Sequence, residues 1–383
     1  MEAYAPRLAM VAGEASGDLL AGLLLAGLKA RWPQVQAFGI GGPKMAAQGF
    51  DAWWPHDKLS VSGYVEVLSH YREISGIRNQ LAERLLSAKD RPDAFIGVDA
   101  PDFNLDLEAR LKAQGIKAIH FVSPSIWAWR GKRIDKIRRA TDLVLCLFPF
   151  EPAIYARQGI AASYVGHPLA DAIPLDVPRA PSRTALGLDP AQTVVALLPG
   201  SRRSEVQYIA PLLLRAAAEM HRQRPGLRFL LPLVPGLRHW VEPLRRQLAA
   251  EIDIDLLDGR SHEALVACDV TLVASGTATL EAALFKRPMV ITYAMHAVSW
   301  HMMKRMKYQP WVGLPNILLN DFVVPELLQG DATSAGLAQA GFEWLDDPAR
   351  CAALRRRFDA LHRELRCNTA QAATDAIEKA LAL

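Results

Sequence analysis

Residues 193–206 read TVVALLPGSRRSEV. The run 194–198 is apolar without polar alternation, which marks a strand buried on both faces, as in a parallel sheet covered by helices. It stops at Pro199 and Gly200, where the glycine permits a tight turn, and two arginines follow Ser201 at once. A helix beginning there offers free backbone N–H groups and the positive end of its dipole, a setting suited to phosphate. Gly200 and Ser201 form the turn, and Arg202 and Arg203 add charge-assisted donors. The stretch is not a P-loop, because no G-K-[S/T] follows. The plainer alternative is a capped helix with solvated arginines.

The same plan extends in both directions. Downstream, 227–234, 252–259, 269–276 and 287–293 read as buried strands; upstream, 7–13, 35–40, 93–99, 116–122 and 141–148 do so. Amphipathic stretches such as 17–31 and 104–114 lie between them. Alternation of this kind predicts an α/β chain of two Rossmann-like, doubly wound parallel-sheet domains facing a central cleft, with ligands at the carboxyl ends of the strands. A length of 383 residues suits two such domains. The Pro-dense GHPLADAIPLDVPRAPS (166–182) separates them. The expected domains are 1–168 and 169–348, with the C-terminal helices of 349–383 joining the first. Those helices carry Arg355, Arg356, Arg357, Arg363 and Arg366.

A net charge of +4 is too mild for a nucleic-acid partner and fits an anionic ligand or membrane surface. The four cysteines, Cys146, Cys268, Cys351 and Cys367, form no C-x-x-C pair and suit a reducing cytoplasm. The N-terminus lacks a basic n-region, and Glu14 and Asp18 interrupt its apolar stretch, so no signal peptide is expected. The run LLAGLLLAGL (19–28) is too short to span a bilayer.

A second strand–glycine–helix junction lies in VASGTATLEAALFKRPMV (273–290). Ser275, Gly276 and Thr277 stand at the helix start, and Glu281 falls within its first turns, where a carboxylate can accept both hydroxyls of a ribose or simply pair locally. Two such junctions in one domain suggest a nucleoside diphosphate. In the first domain, GVDAPDFN (97–104) places Asp99 at a strand's carboxyl end, a position for a general base, and leaves Asp102 to cap the next helix. VAGEASGD (11–18), with Glu14 and Ser16, lacks G-x-G-x-x-G, disfavours a dinucleotide, and can approach an acceptor closely. Asp253 and Asp255 form a D-x-D, but within IDIDL they read as the polar face of a strand. Neither a metal nor a cofactor is expected. His120 lies inside a strand and reads as structural; His167, before Pro168, reads as a hinge element.

These motifs, with HFVSPSIWAWR (120–130), LVLCLFPFE (143–151), VGHPLAD (165–171), LPNILL (314–319) and LRCN (365–368), resemble the lipid A disaccharide synthases over nearly the whole chain. The resemblance implies a GT-B fold and an inverting glycosyl transfer from UDP-2,3-diacylglucosamine to 2,3-diacylglucosamine 1-phosphate (lipid X). The products would be a β(1→6) disaccharide 1-phosphate and UDP. It implies Asp99 as base, Arg202 and, less firmly, Arg203 at the nucleotide, and a functional Asn316. It also implies peripheral work at the cytoplasmic face of a bacterial inner membrane, and a homodimer with exchanged C-terminal segments as one form.

Substrates with long acyl chains call for a membrane or acyl contact. In 59–75, Val61, Tyr64, Val65, Leu68 and Tyr71 fall near one helical face, and in 300–311, Trp300, Met303 and Met306 mix with basic residues. Each set can equally be core. Two rivals remain: a UDP-sugar 2-epimerase of the same two-domain plan, and a non-catalytic nucleotide-sugar or lipid-binding protein.

Overall fold

The computed structural model describes residues 5–59, 64–127, 131–294 and 309–382. Contacts divide the chain into two units, Met1–Ala172 with Leu365–Leu383, and Ile173–Glu364.

The first unit holds a parallel sheet of β1 (Arg7–Ala12), β2 (Gln36–Gly41), β3 (Asp51–Pro55), β4 (Ala94–Val98), β5 (Lys117–Phe121), β6 (Leu143–Cys146) and β7 (Ala162–Tyr164), in the order β3-β2-β1-β4-β5-β6-β7. Its helices are α1 (Ala15–Arg31), α2 (Pro43–Ala46), α3 (Tyr64–Leu86), α4 (Pro101–Lys112), α5 (Ile134–Ala140), α6 (Glu151–Ala156), α7 (Pro168–Ala172) and the last helix, Thr369–Leu381. Side chains alternate across a strand. Leu8, Met10 and Ala12 therefore pack with Leu24, Leu25 and Leu28 of α1 and with Ala373 and Ile377 of the last helix. Ala9 and Val11 pack with Ile77 and Leu81 of α3 and Leu107 and Leu111 of α4. Both faces of β1 are buried, which is why its sequence shows no alternation.

The second unit repeats the plan with β8 (Val194–Leu198), β9 (Arg228–Leu233), β10 (Ile254–Asp258), β11 (Val270–Ala274), β12 (Met289–Tyr293) and β13 (Glu326–Leu328), in the order β10-β9-β8-β11-β12-β13. Its helices include α8 (Arg179–Ala185), α9 (Arg203–Gln223), α10 (Arg238–Leu248), α11 (Ser261–Ala267) and α12 (Thr277–Leu284).

The strands that sequence patterning overlooks are β3, β7 and β13, all at or next to sheet edges and reading DAWWP, ASY and ELL. Edge strands need no continuous apolar run, so no such signal marks them. The Pro-rich 166–182 is not simply a linker, since it contains α7 and the start of α8. Of the C-terminal segment only the end joins the first unit. The penultimate helix, Pro348–Leu365, belongs to the second as far as Glu364. Polar ties hold it there, Arg357 to Asp321 at 2.6 Å and His362 to Lys286 at 2.6 Å. No helix among the described residues is long and apolar enough to cross a membrane.

Candidate active site

In an open parallel sheet the crevice forms where strand order reverses. That point is β1/β4 in the first unit and β8/β11 in the second. Glu14, Ser16, Asp99, Gly200, Ser201, Arg202, Ser275 and Gly276 fall on or beside the loops at these points.

In the first unit the loops after β1 and β4 touch: a Cβ added at Gly13 would lie 3.1 Å from Ala100 Cβ. Glu14 and Ser16 are exposed beside them. Asp99 and Ala100 adopt φ values of +51° and +44°, and Val122, at the end of β5, adopts +77°. Left-handed backbone costs non-glycine residues on the order of 1–3 kcal/mol each and persists only when the surroundings over-determine it. Here Asp99 N donates to Phe121 O at 2.9 Å, and Asn104 Nδ2 donates to Asp99 O at 2.8 Å. Asp99, half-buried, and Val122 line a cavity of ≈ 320 Å³ with Ser123, Ser125 and Arg133. Asp102 does not cap: α4 starts at Pro101, its N-cap position is Ala100, and Asp102 lies in the first turn paired with Arg133. Starting the helix at Pro101 moves Asp102 inside it.

Behind these loops lies a buried polar layer. Glu108 and His120 are both fully buried and meet at 2.7 Å. Burial pushes the Glu108 pKa upward, against the pull of His120. They sit under Gly97, where a Cβ would come 2.1 Å from Glu108 Oε1 and 2.8 Å from Asn104 Cβ, so only glycine fits. His120 is thus structural. Glu151 is also buried; it accepts from Trp127 Nε1 and Phe148 N at 3.0 Å each, and its pKa is raised to about 7, chiefly by burial. Ser123 bonds Tyr155 OH at 2.8 Å, which steadies the cavity wall. His167 stacks on Phe148, and burial lowers its pKa to about 4.

In the second unit the two helix starts differ. At α9, Gly200 adopts φ +108°, and a Cβ there would lie 2.6 Å from Glu205 Oε2. That oxygen accepts from Ser201 N at 3.1 Å and Arg202 N at 3.3 Å. The phosphate-like position at this helix start is therefore filled by the chain's own carboxylate. Arg202 remains largely exposed and lies 3.9 Å from Glu205. Arg203 turns away, its guanidinium 3.8 Å from the Trp240 ring centroid. At α12, no side chain caps the start, Gly276 and Thr277 are exposed, and a Cβ at Gly276 would meet nothing within 4 Å. Glu281 reaches His262 Nε2 at 3.2 Å. Tyr293, whose pKa is raised by burial and by Glu205, lies near the α9 loop.

Asn316, the functional asparagine that the resemblance implies and a candidate contact of the UDP-sugar, lies in the interior of the second unit. It is fully buried; Nδ2 donates to Val324 O and Glu326 Oε1 at 2.9 Å each, and Oδ1 accepts from Val323 N at 2.8 Å and Val324 N at 3.0 Å. A side-chain amide has little capacity beyond this, so Asn316 is fully engaged by its own unit. Glu326 also accepts from Val312 N and Gly313 N at 2.9 Å each, and Val312 O accepts from Ser275 Oγ at 3.2 Å. Asn316 thereby braces the segment that meets the α12 start. Sequence reasoning missed Glu205, Glu326, Asn104 and Glu151. Only Glu205 had a signal, a capping-type carboxylate three residues after Arg202.

Asp253 and Asp255 both pair with Arg228, the latter at 2.7 Å, which occupies the D-x-D with a guanidinium. No group of three or more His, Cys, Asp or Glu side chains suited to a metal occurs among the described residues. Val61, Trp300, Met303 and Met306 lie outside the described residues, as do the side chains of Tyr64, Val65, Leu68 and Tyr71.

Two parallel-sheet α/β units with candidate residues at both switch points define the GT-B fold. Solved structures with this fold include UDP-GlcNAc 2-epimerase from Neisseria meningitidis, at TM-score 0.66 and 11% identity over 97% of this chain and 99% of that one. Another is the calicheamicin glycosyltransferase CalG4, at TM-score 0.61 and 16% identity over 98–99% of both chains (99% of this one, 98% of that one). The fold alone therefore does not separate transferase from epimerase. The family does: residues 8–377 match the model of lipid-A-disaccharide synthetase, and the chain belongs to that family. A lipid-A-disaccharide synthase of Albidiferax ferrireducens is 58% identical over 380 residues, 98% of this chain and 97% of the relative. The chain is accordingly a glycosyltransferase of lipid A biosynthesis.

Proposed function

We propose that the chain transfers the sugar of UDP-2,3-diacylglucosamine to the 6-hydroxyl of lipid X, with inversion. The acceptor oxygen bonds to the anomeric carbon while Asp99 takes its proton. The bond from that carbon to the diphosphate breaks, and its electron pair leaves with UDP. The observation that carries this reading is Asp99 itself: a half-buried carboxylate on a left-handed backbone at the switch point, pinned through Asn104 and facing a cavity. A positioned base contributes about 10²–10⁴-fold. Glu14 and Ser16 flank the acceptor.

The second unit binds the donor. The open α12 start, with Ser275, Gly276 and Thr277, takes the diphosphate together with Arg202, and Glu281 takes the ribose hydroxyls. Gly200 and Ser201 shape the loop that carries Arg202. Long acyl chains cost about 0.8 kcal/mol per methylene to expose, roughly 10 kcal/mol for a dozen carbons. The enzyme therefore works as a peripheral protein, with 59–75 and 300–311 as its acyl contacts; the family resemblance adds a homodimer at the cytoplasmic face of the inner membrane.

The test is disaccharide formation in mixed micelles containing EDTA, wild type against Asp99→Ala, with UDP binding measured in parallel. A fall of about 10²–10⁴-fold in turnover with UDP binding kept is the expected result. Near-normal turnover by Asp99→Ala removes the base assignment, and no product from the wild type removes the substrates.

A further inference from the structure

The sequence clusters arginines in its C-terminal helices, and nothing in the proposed reaction uses them. The structure gathers Arg355, Arg356 and Arg363 of the penultimate helix with Arg179, Lys286 and Arg287 around a cavity of ≈ 620 Å³ in the second unit. Two carboxylates, Asp176 and Asp359, also line it. Asp359 is spent on Arg363 at 2.9 Å, and Arg179 on Asp269 at 2.6 Å. Lys286 donates to Leu175 O and meets His362 Nδ1, at 2.6 Å each, from a backbone with φ +56°.

Arg287 is the telling residue. It is only 5% exposed; its Nε donates to Leu265 O at 2.8 Å, and among the described residues no carboxylate forms an ion pair with it. Burial lowers its pKa to about 10; Arg179 and Arg355 push the same way, and Cys268 and Asp269 oppose them. Burial likewise lowers Lys286 to about 8. Arg355 and Arg356 are exposed and carry no ion pair or hydrogen bond among the described residues. A buried guanidinium among like charges is costly unless an anion joins it.

The geometry points to a second anion site in this unit, for a small ligand with clustered phosphates held between segment 175–179, the turn 284–287 and the penultimate helix. It is separate from the donor position: Gly276 and Thr277 open α12, whereas Leu284–Arg287 follow its other end, about 12 Å away along the axis. The cavity lies in the range of small-molecule sites and exceeds what one phosphate fills. The same chemistry is offered by a free oligophosphate and by the phosphate headgroup of a lipid.

The full chain, saturated with UDP at fixed ionic strength, is titrated with inorganic tripolyphosphate. In parallel it is mixed with phosphatidylcholine vesicles with and without phosphatidic acid. Each assay is repeated with R355E/R356E and with R222E/R246E, an equal charge change on α9 and α10. The expected result is binding that R355E/R356E weakens about tenfold or more and R222E/R246E changes by less than about twofold. Sensitivity with tripolyphosphate identifies a free ligand, and sensitivity with vesicles alone identifies a headgroup. Absence of binding by both probes, or equal loss in both double variants, overturns the site.

Discussion

In the first unit, Glu108 and Glu151 are buried behind the loops that carry Asp99 and Ser123, and each binds a side chain, His120 or Trp127. In the second unit, Glu205 and Glu326 lie nearer the surface and bind backbone N–H groups, of 201–202 and 312–313. The same residue type does two jobs. A buried carboxyl is a brace whose ionisation burial opposes. A carboxylate on main-chain amides is a plug that fixes a loop and repels an incoming phosphate. α9 is plugged and α12 is not, which is why the diphosphate is proposed for α12, although the two junctions look alike in sequence.

The harshest test of this contrast is Asn316→Leu. It leaves Val323 N, Val324 N and one bond of Glu326 without partners, at about 1–3 kcal/mol apiece. Denaturant unfolding of the second unit should lose roughly 3–5 kcal/mol, with UDP binding falling as segment 312–313 loosens. Unchanged stability with UDP binding lost would instead make Asn316 a direct contact.

The buried carboxyl of the first unit is tested by pH. Glu151 has a folded pKa of about 7 against an ordinary value of 4.5. Its stabilising share is therefore full below pH 4.5 and lost as pH rises through 7. His167 is held at about 4 against 6.5, so its share is full above pH 6.5 and lost as pH falls through 4. Each amounts to about 3 kcal/mol, and the two slopes oppose one another. Unfolding free energy from pH 4 to 8 should gain a rising slope in Glu151→Gln and a falling slope in His167→Gln. Parallel profiles in all three proteins would show that neither group is perturbed.

Smaller effects separate the two arginines. Arg202→Ala should weaken UDP binding about tenfold by calorimetry, the loss of one charge-assisted contact. Arg203→Ala should change it less than about twofold while costing under ~1 kcal/mol of stability through Trp240. Equal losses of affinity would return Arg203 to the nucleotide. Smallest is Glu205→Gln, which should cost about 1 kcal/mol and leave UDP affinity within about threefold. A tenfold gain in affinity would mean that the phosphates displace this side chain and that the α9 start is their site.

Periodicity and punctuation made the two α/β units legible. Strands such as VVALL and VTLVA carry their own evidence, because burial on both faces requires an unbroken apolar run. Asp99 was legible for the same reason: a carboxylate that ends such a run must stand at a carboxyl edge. The edge strands DAWWP, ASY and ELL were not, because pairing on an edge is satisfied by backbone and leaves little mark on side chains.

By itself, then, the sequence determined the strand order of burial, the glycine turns and the charged residues brought to them, since these follow from local spacing and backbone freedom. Only the tertiary structure decided which helix start is open and which is filled, that Asn316 braces rather than touches, and that the penultimate helix stays with the second unit. Those outcomes depend on which distant groups meet: Glu326 with Gly313, Arg357 with Asp321, Lys286 with His362. Hydrogen bonds and ion pairs act over a few ångströms in space, and spacing along the chain does not record which partners will come that close.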